Sequence, residues 1–466
     1  MMRSPKTTLA ALAGATSLLL SGCNMAPHYV RPAAPVPEAW PTGAAYPAAE
    51  SGPAAGLTWQ QLITNPRLKA VITQMLANNR DLRASVANVV AARAQYRADR
   101  ANIFPTIGAS ATGSRTGGSA AGNANGGYNS LNLGVSSFEI DLWGRLRNQA
   151  SAGFETYLST QSGMRSTKLS LVQETALAYV TLASDQDLLT IAKDTAASAK
   201  RSLDLTQSLM TAGLGNAVDV EAARTVLATA QSDMASATTQ VAQDRNALEL
   251  LVGGKVEDAL LPTSLSDVDG SITLAPAGIT STVLLQRPDV VEAEHTLKSS
   301  NYSIGAARAA FFPTISLTAA GGFSSTALST LLDGGSKVWS ITPTGSLPLL
   351  GGQRFANLDY AKATRDANVA KYEKAVQQAF SDVSNALARR GTINDQRAAQ
   401  DRLVGAAQKS LTLSDEQYRA GTQAYINVLT AQRTLYSARQ TQVSATLADL
   451  SNRLALYTAI GADDTL

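Results

Sequence analysis

Cysteine is almost missing from this chain: Cys23 stands alone among 466 residues, so no disulfide can form within it. Histidine is nearly as scarce, and with only His28 and His295 a zinc site of the Cys/His type runs out of ligands. Charged residues make up 16%, well under the roughly 25% usual in soluble proteins, and aromatics only 5%. Ala, Ser, Thr, Gln and Gly fill the space instead, which suits close helix packing and uncharged surfaces. The formal charge is +3, and it falls to +1 if Arg3 and Lys6 are removed with a leader; nothing here asks for nucleic acid or an acidic substrate. No G-x-S-x-G elbow is present, and "GGK" at Gly253–Lys255 is followed by Val256 where a phosphate loop needs Ser or Thr. That tripeptide reads as a helix-ending turn. His28 falls in a proline-rich stretch and His295 on a helix with Glu292 nearby; both read as solvated or packed residues. Without a nucleophile and base, no cofactor and no enzymatic site is expected.

What is there begins with export. Arg3 and Lys6 precede the apolar run "LAALAGATSLLL", which is too short to span a membrane and ends in "LSGC". This reads as a signal peptide over residues 1–22. The tetrapeptide closely resembles a bacterial lipobox, which implies cleavage before Cys23 and attachment of diacylglycerol to its sulfur, with acylation of the new amino end. Asn24 follows, and by the same resemblance it favours the outer membrane. An ordinary signal with an incidental cysteine is the alternative. Residues 23–58 then form a Pro/Ala-rich linker.

The rest of the chain says one thing twice. "NIFPTI" at Asn102–Ile107 returns as "FFPTI" at Phe311–Ile315, and an offset of 208 also carries Asp81 onto Asp289, Gly144 onto Gly352, Gly213 onto Gly421 and Val220 onto Val428. Anchors in different local contexts sharing one register indicate an internal duplication. The copies span 59–261 and 282–466, joined by a linker at 262–281.

Proline placement sets the plan of each copy. None occurs between Pro105 and Pro262 or after Pro348, so very long helices are permitted there. The stretch from about Gln149 to Met210 would extend about 90 Å at about 1.5 Å per residue. Within it, Leu169, Val172, Ala176, Tyr179 and Ala183 make a heptad-like seam. Gly213 ends that helix as a C-terminal cap, and Asn216 starts the next as N-cap with Asp219 at its third position. Copy two runs from about Gln353 to Tyr418, turns at Gly421 and returns through about Leu456. Each copy thus ends in a helical hairpin.

A single helix is expected before each "FPT", over "NPRLKAVITQMLANNRDLRASVANVVAARAQYRADRA" and "STVLLQRPDVVEAEHTLKSSNYSIGAARAA". Arg287–Asp289 looks like a helix start, with proline in the first turn. Strands follow: "TIGASATGS" and "SLNLGVSSFEIDLW", separated by the loop "TGGSAAGNANGGYN", then "TISLTAAGGF" and "KVWSITPTGSLPLL". In "LNLGVSSFEIDL" apolar residues fall on 131, 133 and 135, then on 138, 140 and 142, a phase slip that a bulge at Ser136 and Ser137 explains. Four strands of about ten residues suit a tilted membrane span, yet four cannot close, so several chains must share one barrel if they enter lipid. A four-stranded cap on a soluble helical rod is the other reading of the same residues.

Taken in order, the lipobox, "APHYVRPAAPVPEAW", "RPDVVEAE", "IGAARAAFFPTISL", "FEIDLWGRLR" and "NVLTAQRTLYSARQ" resemble the TolC-like outer-membrane efflux channels, specifically their OprM-like lipoprotein branch. The resemblance covers essentially the whole mature chain. It implies a mainly α fold with a small β part: a homotrimer whose four strands per chain make one twelve-stranded outer-membrane β-barrel above a periplasmic α-barrel of long helical hairpins. It also implies an anchored exit duct for small toxic compounds, partnered by a periplasmic adaptor and an inner-membrane transporter, often of the resistance-nodulation-division class. Asp219 in "VDV" and Tyr418 in "YRAG" match the family's gate positions, with Arg419 beside the tyrosine, and Gly213 and Gly421 would be the hairpin tips. Packing or capping roles for Asp219 and Tyr418 stand as alternatives. Copy two departs from the family's charged tip by carrying Gln423, Asn427 and Thr430. The competing class is a lipid-anchored periplasmic coiled-coil scaffold or adhesin with no channel.

Overall fold

The computed structural model describes residues 24–47, 58–116, 126–274, 281–333, 336–461 and 463. The leader and Cys23 lie outside these, as does the loop at 117–125. In chain order the elements are α1 (Trp59–Leu62), α2 (Pro66–Asn78), α3 (Arg80–Ala101), β1 (Ile107–Thr116), β2 (Gly126–Ile140), α4 (Arg145–Thr211), α5 (Ala217–Val252), α6 (Pro288–Ala309), β3 (Thr314–Ser325), β4 (Lys337–Ser346), α7 (Gly352–Arg419) and α8 (Tyr425–Ile460). The long helices are longer than expected: α4 has 67 residues and α7 has 68. No described helix is long and apolar enough to cross a membrane.

Two local readings need correction. The helix before the first "FPT" is two helices, because Asn79 leaves the helical conformation between them, at φ −56° and ψ 134°. Its side chain accepts from Leu82 N–H (2.8 Å) and donates to Leu251 O (2.7 Å), so the asparagine restarts the chain as a new N-cap. In copy two, Ser281–Gln286 is a 3₁₀ turn and the α-helix starts at Pro288, as the Arg-Pro-Asp pattern anticipates. The loop after β1 is also shorter than its composition suggests, since β2 already begins at Gly126.

The chain forms two compact units, and each draws on both copies. One takes in residues up to Ala33, Asn88–Gln161 and Glu292–Glu373; the other Ala34–Ala87, Ser162–Val291 and Lys374–Leu466. The second holds the main core. Trp59, Leu68, Ile72, Met75 and Leu248 pack there with the α4 seam, whose Val172, Ala176, Tyr179 and Ala183 are fully buried. Tyr179 donates to Leu260 O at 2.9 Å, which satisfies its hydroxyl inside that core.

The first unit holds the sheet and a strap. Residues 25–31 lie along one face of α6 in antiparallel sense. Glu294 takes both Arg31 nitrogens (Nε 3.1 Å, Nη2 2.8 Å), Asn301 Nδ2 donates to Pro27 O (2.7 Å), and Arg308 Nη1 to Met25 O (3.4 Å). Gly305 leaves the slot for Ala26, whose backbone nitrogen would sit 2.7 Å from any Cβ there. Residues 294, 298, 301, 305 and 308 recur at three and four, so one helical stripe seats the strap.

Candidate functional site

Two places gather the expected functional residues: the sheet in the first unit and the hairpin turns in the second. The sheet is antiparallel throughout, in the order β1-β2-β3-β4. Ile107 pairs with Val135, Val135 with Ala319, and Ala319 with Ile341, so these residues lie in one row on one face. Alternation adds Ala109, Leu131, Leu133, Phe323 and Trp339 to that face. The opposite face carries Ser110, Thr112, Asn132, Thr318, Ser324 and Thr342. One side is apolar and the other is short and polar.

The bulge makes that division hold along the full length of β2. Register shifts between Val135 and Phe138, where Ser136 and Ser137 together oppose Thr318. The extra residue returns Phe138 and Ile140 to the apolar side; without it both would turn to the polar side. Ser137 takes a φ of 53°, unusual for a residue with a Cβ, and its N–H donates to Thr318 Oγ1 at 3.1 Å.

Glycine positions show where neighbouring strands approach most closely. On the polar face, a Cβ at Gly134 would lie 2.2 Å from Ala319 O, and one at Gly322 2.0 Å from Leu131 O. On the apolar face, a Cβ at Gly321 or Gly345 would meet nothing within 4 Å. Gly108, on the polar face of the edge strand β1, would also meet nothing within 4 Å, so the crowding on that face belongs to the inner pair β2 and β3. The outer edges of β1 and β4 have no partner strand among the described residues. Apolar side chains on the apolar face are bare: Trp339 is 80% exposed and Ile341 62%.

The hairpin turns share one geometry. Gly213 and Gly421 both have φ 71°, the left-handed conformation that favours glycine after a helix. Leu214 N–H donates to Leu209 O (2.8 Å) and Thr422 N–H to Gln417 O (3.0 Å), closing the last turn in each. After Gly213, Asn216 Oδ1 accepts from Asp219 N–H (2.9 Å), and its Nδ2 donates to Asp219 Oδ2 (3.0 Å). Tyr418 packs against Tyr425, rings 5.1 Å apart, on a cluster of Val220, Val226 and Val428. Burial, and then the Asp219 charge, raise the Tyr418 hydroxyl pKa above its ordinary value. Arg419 pairs with Asp415 at 2.8 Å and is largely exposed.

The sequence profile of the outer membrane efflux protein family matches residues 71–254 and 279–462. The toluene efflux pump outer membrane protein TtgC of Pseudomonas putida is 41% identical over 455 residues, covering 96% of this chain and 94% of that one. The chain belongs to the outer membrane efflux protein family. The two matched stretches begin and end 208 residues apart, the same offset that relates the two copies. The cation efflux system protein CusC of Escherichia coli is 38% identical over 450 residues, 96% of this chain and 97% of that one. Among solved structures, the open state of the Neisseria gonorrhoeae MtrE outer membrane channel superposes with a TM-score of 0.86 at 34% identity, over 95% of this chain and 99% of that one.

Against this outer-membrane efflux framework, the structure brings Asp219 and Tyr418 into one neighbourhood and leaves Arg419 on its own helix with Asp415. At the neutral turn, Thr430 donates to Ile426 O (2.8 Å), a bond within its own helix. His295 has a different partner from the one its helix suggests: its Nδ1 lies 2.6 Å from Glu155 Oε2, tying α6 to α4. Sequence reasoning missed Gly134 and Gly322, although a lone glycine in "LNLGV" and the doublet at Gly321–Gly322, both inside strand-like runs, were signals of close backbone approach. It also read Arg287 only as a helix start. Arg287 is 8% exposed, binds Asp289 through two nitrogens (3.0 and 2.8 Å) and donates to Ala459 O (2.7 Å), fastening the end of α8.

Proposed function

We propose that this chain is one third of an outer-membrane exit channel, with four strands from each of three copies closing a twelve-stranded barrel. One observation carries this: a sheet that is apolar on one face, polar on the other and unpaired at both edges among the described residues. In lipid every backbone donor and acceptor needs a partner, so two bare edges of about ten residues must be covered. Identical copies supply complementary edges, because β1 and β4 run antiparallel to one another in a four-stranded antiparallel sheet. A periplasmic scaffold or adhesin has no use for such a sheet.

The duct works passively. An adaptor and an inner-membrane transporter, here inferred to be of the resistance-nodulation-division class, would deliver small toxic compounds such as those for which the relatives are named. Lipidation at Cys23 is part of the reading. The strap that follows it brings Met25 to the last turn of α6, from which the chain enters β3. The test is an unboiled gel of outer-membrane fractions: a heat-labile trimer is expected, and a monomer that inserts and conducts alone overturns the reading.

The gate is proposed at the hairpin tips, where Gly213 and Gly421 set the turns and Asp219, Tyr418 and Arg419 supply the contacts. Gln423, Asn427 and Thr430 add neutral hydrogen bonding. Tyr418→Phe combined with Asp219→Ala is expected to raise single-channel conductance in planar bilayers severalfold; an unchanged conductance removes these residues from the gate.

A further inference from the structure

Between α4, α7 and α8, toward the hairpin turns, lies a cavity of about 200 Å³. Two cations on its wall have no acid paired with them. Arg201, from α4, forms no ion pair with any described residue, and Arg439, from α8, donates to the neutral Gln408 Oε1 of α7 at 2.9 Å. Other arginines of this unit meet carboxylates: Arg287 binds Asp289, Arg397 binds Asp269, and Arg453 binds Asp449. The same wall carries Gln432, which is 9% exposed. Its Nε2 donates to Ser202 Oγ at 3.0 Å, while its Oε1 is buried without a partner. A buried amide end left unbonded is costly, and a ligand that bonds it removes the penalty.

We propose that this cavity binds a small oxyanion, held by Arg201, Arg439 and the Gln432 amide. Guanidinium groups match the paired oxygens of a carboxylate or phosphate. The Ser202 hydroxyl donates as readily as it accepts, so the Gln432 amide can turn, take the Ser202 bond on its oxygen and present N–H to the anion. Gln408 uses only its oxygen on Arg439, which leaves its own N–H groups for the same ligand. Asp194 is the one carboxylate on the wall, so two cations face one acid there. A water takes roughly 30 Å³, so the cavity has room for phosphate or a short dicarboxylate. The offset of 208 puts Lys409, Gln231 and Arg224 where this site has Arg201, Arg439 and Gln432, and Arg224 is already paired with Glu221 at 3.0 Å. The duplication therefore builds the site once per chain. An anion seated in it links α4 of the first hairpin to α7 and α8 of the second. Every residue involved belongs to one chain, so binding does not depend on the shared barrel.

The test is a calorimetric titration of the full-length protein, purified in detergent, with sodium phosphate and separately with disodium succinate. Ionic strength is held fixed, and sodium chloride serves as the blank. Saturable heat at one site per chain is expected with at least one of the two anions, and the tighter of them tells whether phosphate or carboxylate is preferred. Arg201→Gln and Arg439→Gln should each weaken that binding by about tenfold or more, the loss of a charge-assisted hydrogen bond. Arg433 is the control: it is exposed beside Gln432 but does not line the cavity, so Arg433→Gln should bind as the native protein does. If neither anion gives saturable heat, or if the heat survives in the double variant of Arg201 and Arg439, there is no such site. Equal weakening by Arg433→Gln would assign the heat to diffuse surface charge and overturn the proposal too. None of these results touches the exit-channel reading, which the unboiled gel decides.

Discussion

The two hairpin turns share a backbone and differ in how it is fastened. Both glycines sit at φ 71° and both close the same helix-end hydrogen bonds. Beyond the first turn, Asn216 caps the returning helix with its side chain; at the second, Ala424 occupies the same position and caps nothing. There Tyr425 does the holding, 2% exposed in a cluster with Val220 and Val428, while its counterpart Ala217 is exposed. The difference teaches that a duplicated turn keeps its stereochemical requirement, which only glycine meets at low cost, and lets its fastening pass from polar to apolar. The same contrast recurs in the strands. Gly322 is squeezed against β2, and its counterpart Ser114 carries a side chain at an unpaired edge.

The strand contrast offers the largest effect. Gly322→Val puts a Cβ where Leu131 O lies 2.0 Å away, against backbone that cannot retreat. A loss of at least about 3 kcal/mol is expected for such overpacking. The trimer band on unboiled gels should disappear. Ser114→Val should leave that band in place; equal damage from both variants would mean that the join between β2 and β3 is no tighter than the edge.

A middle-sized effect separates the hairpins by pH. In copy one, burial and the neighbouring Asp244 carboxylate push the Asp185 carboxyl up to about 7, from an ordinary value of 3.8. The corresponding positions in copy two are Ile393 and Asn452, which do not titrate. A raised carboxyl pKa means that the folded hairpin prefers the protonated form. Its stabilisation is therefore complete below about 3.8 and is lost as pH climbs through about 7. Amide protection factors in α4 and α5, corrected for intrinsic exchange, should fall between pH 4 and pH 7 while those in α7 and α8 hold level. Asp185→Asn should flatten the first profile, and a slope that persists in that variant assigns the effect elsewhere.

Much of this molecule was legible because its signals are local and repeated. Gly213, Gly421, Asn216 and the Arg287–Asp289 helix start follow from backbone stereochemistry, and the bulge at Ser136 and Ser137 follows from the alternation of apolar residues alone. The break at Asn79 was hidden because the residues around it keep helical character, and the decisive bonds reach Leu251, far along the chain. The His295–Glu155 pair and the Arg287–Ala459 clasp were hidden for the same reason: each depends on which helices lie side by side. At the candidate gate, sequence placed Asp219 and Tyr418 at separate tips, and only packing brings the carboxylate near enough to act on the tyrosine hydroxyl.

The smallest effect tests the caps themselves. Asn216→Ala removes a side-chain acceptor from the first turn of α5 and should cost about 1 kcal/mol there. Because α5 and α8 are long helices anchored in a common core, that loss belongs to the tip and should appear as faster exchange at Asp219 and Val220, with the global transition unmoved. Ala424→Asn is the reciprocal change. Ala424 already has the extended conformation of an N-cap, at φ −72° and ψ 146°, so asparagine can accept from the opening N–H groups of α8 without rearranging the backbone. Exchange in the first turn of α8 should slow by up to about fivefold, the equivalent of about 1 kcal/mol. A null result would mean that Tyr425 already holds that turn as firmly as a cap can, so the two fastenings are alternatives and do not add.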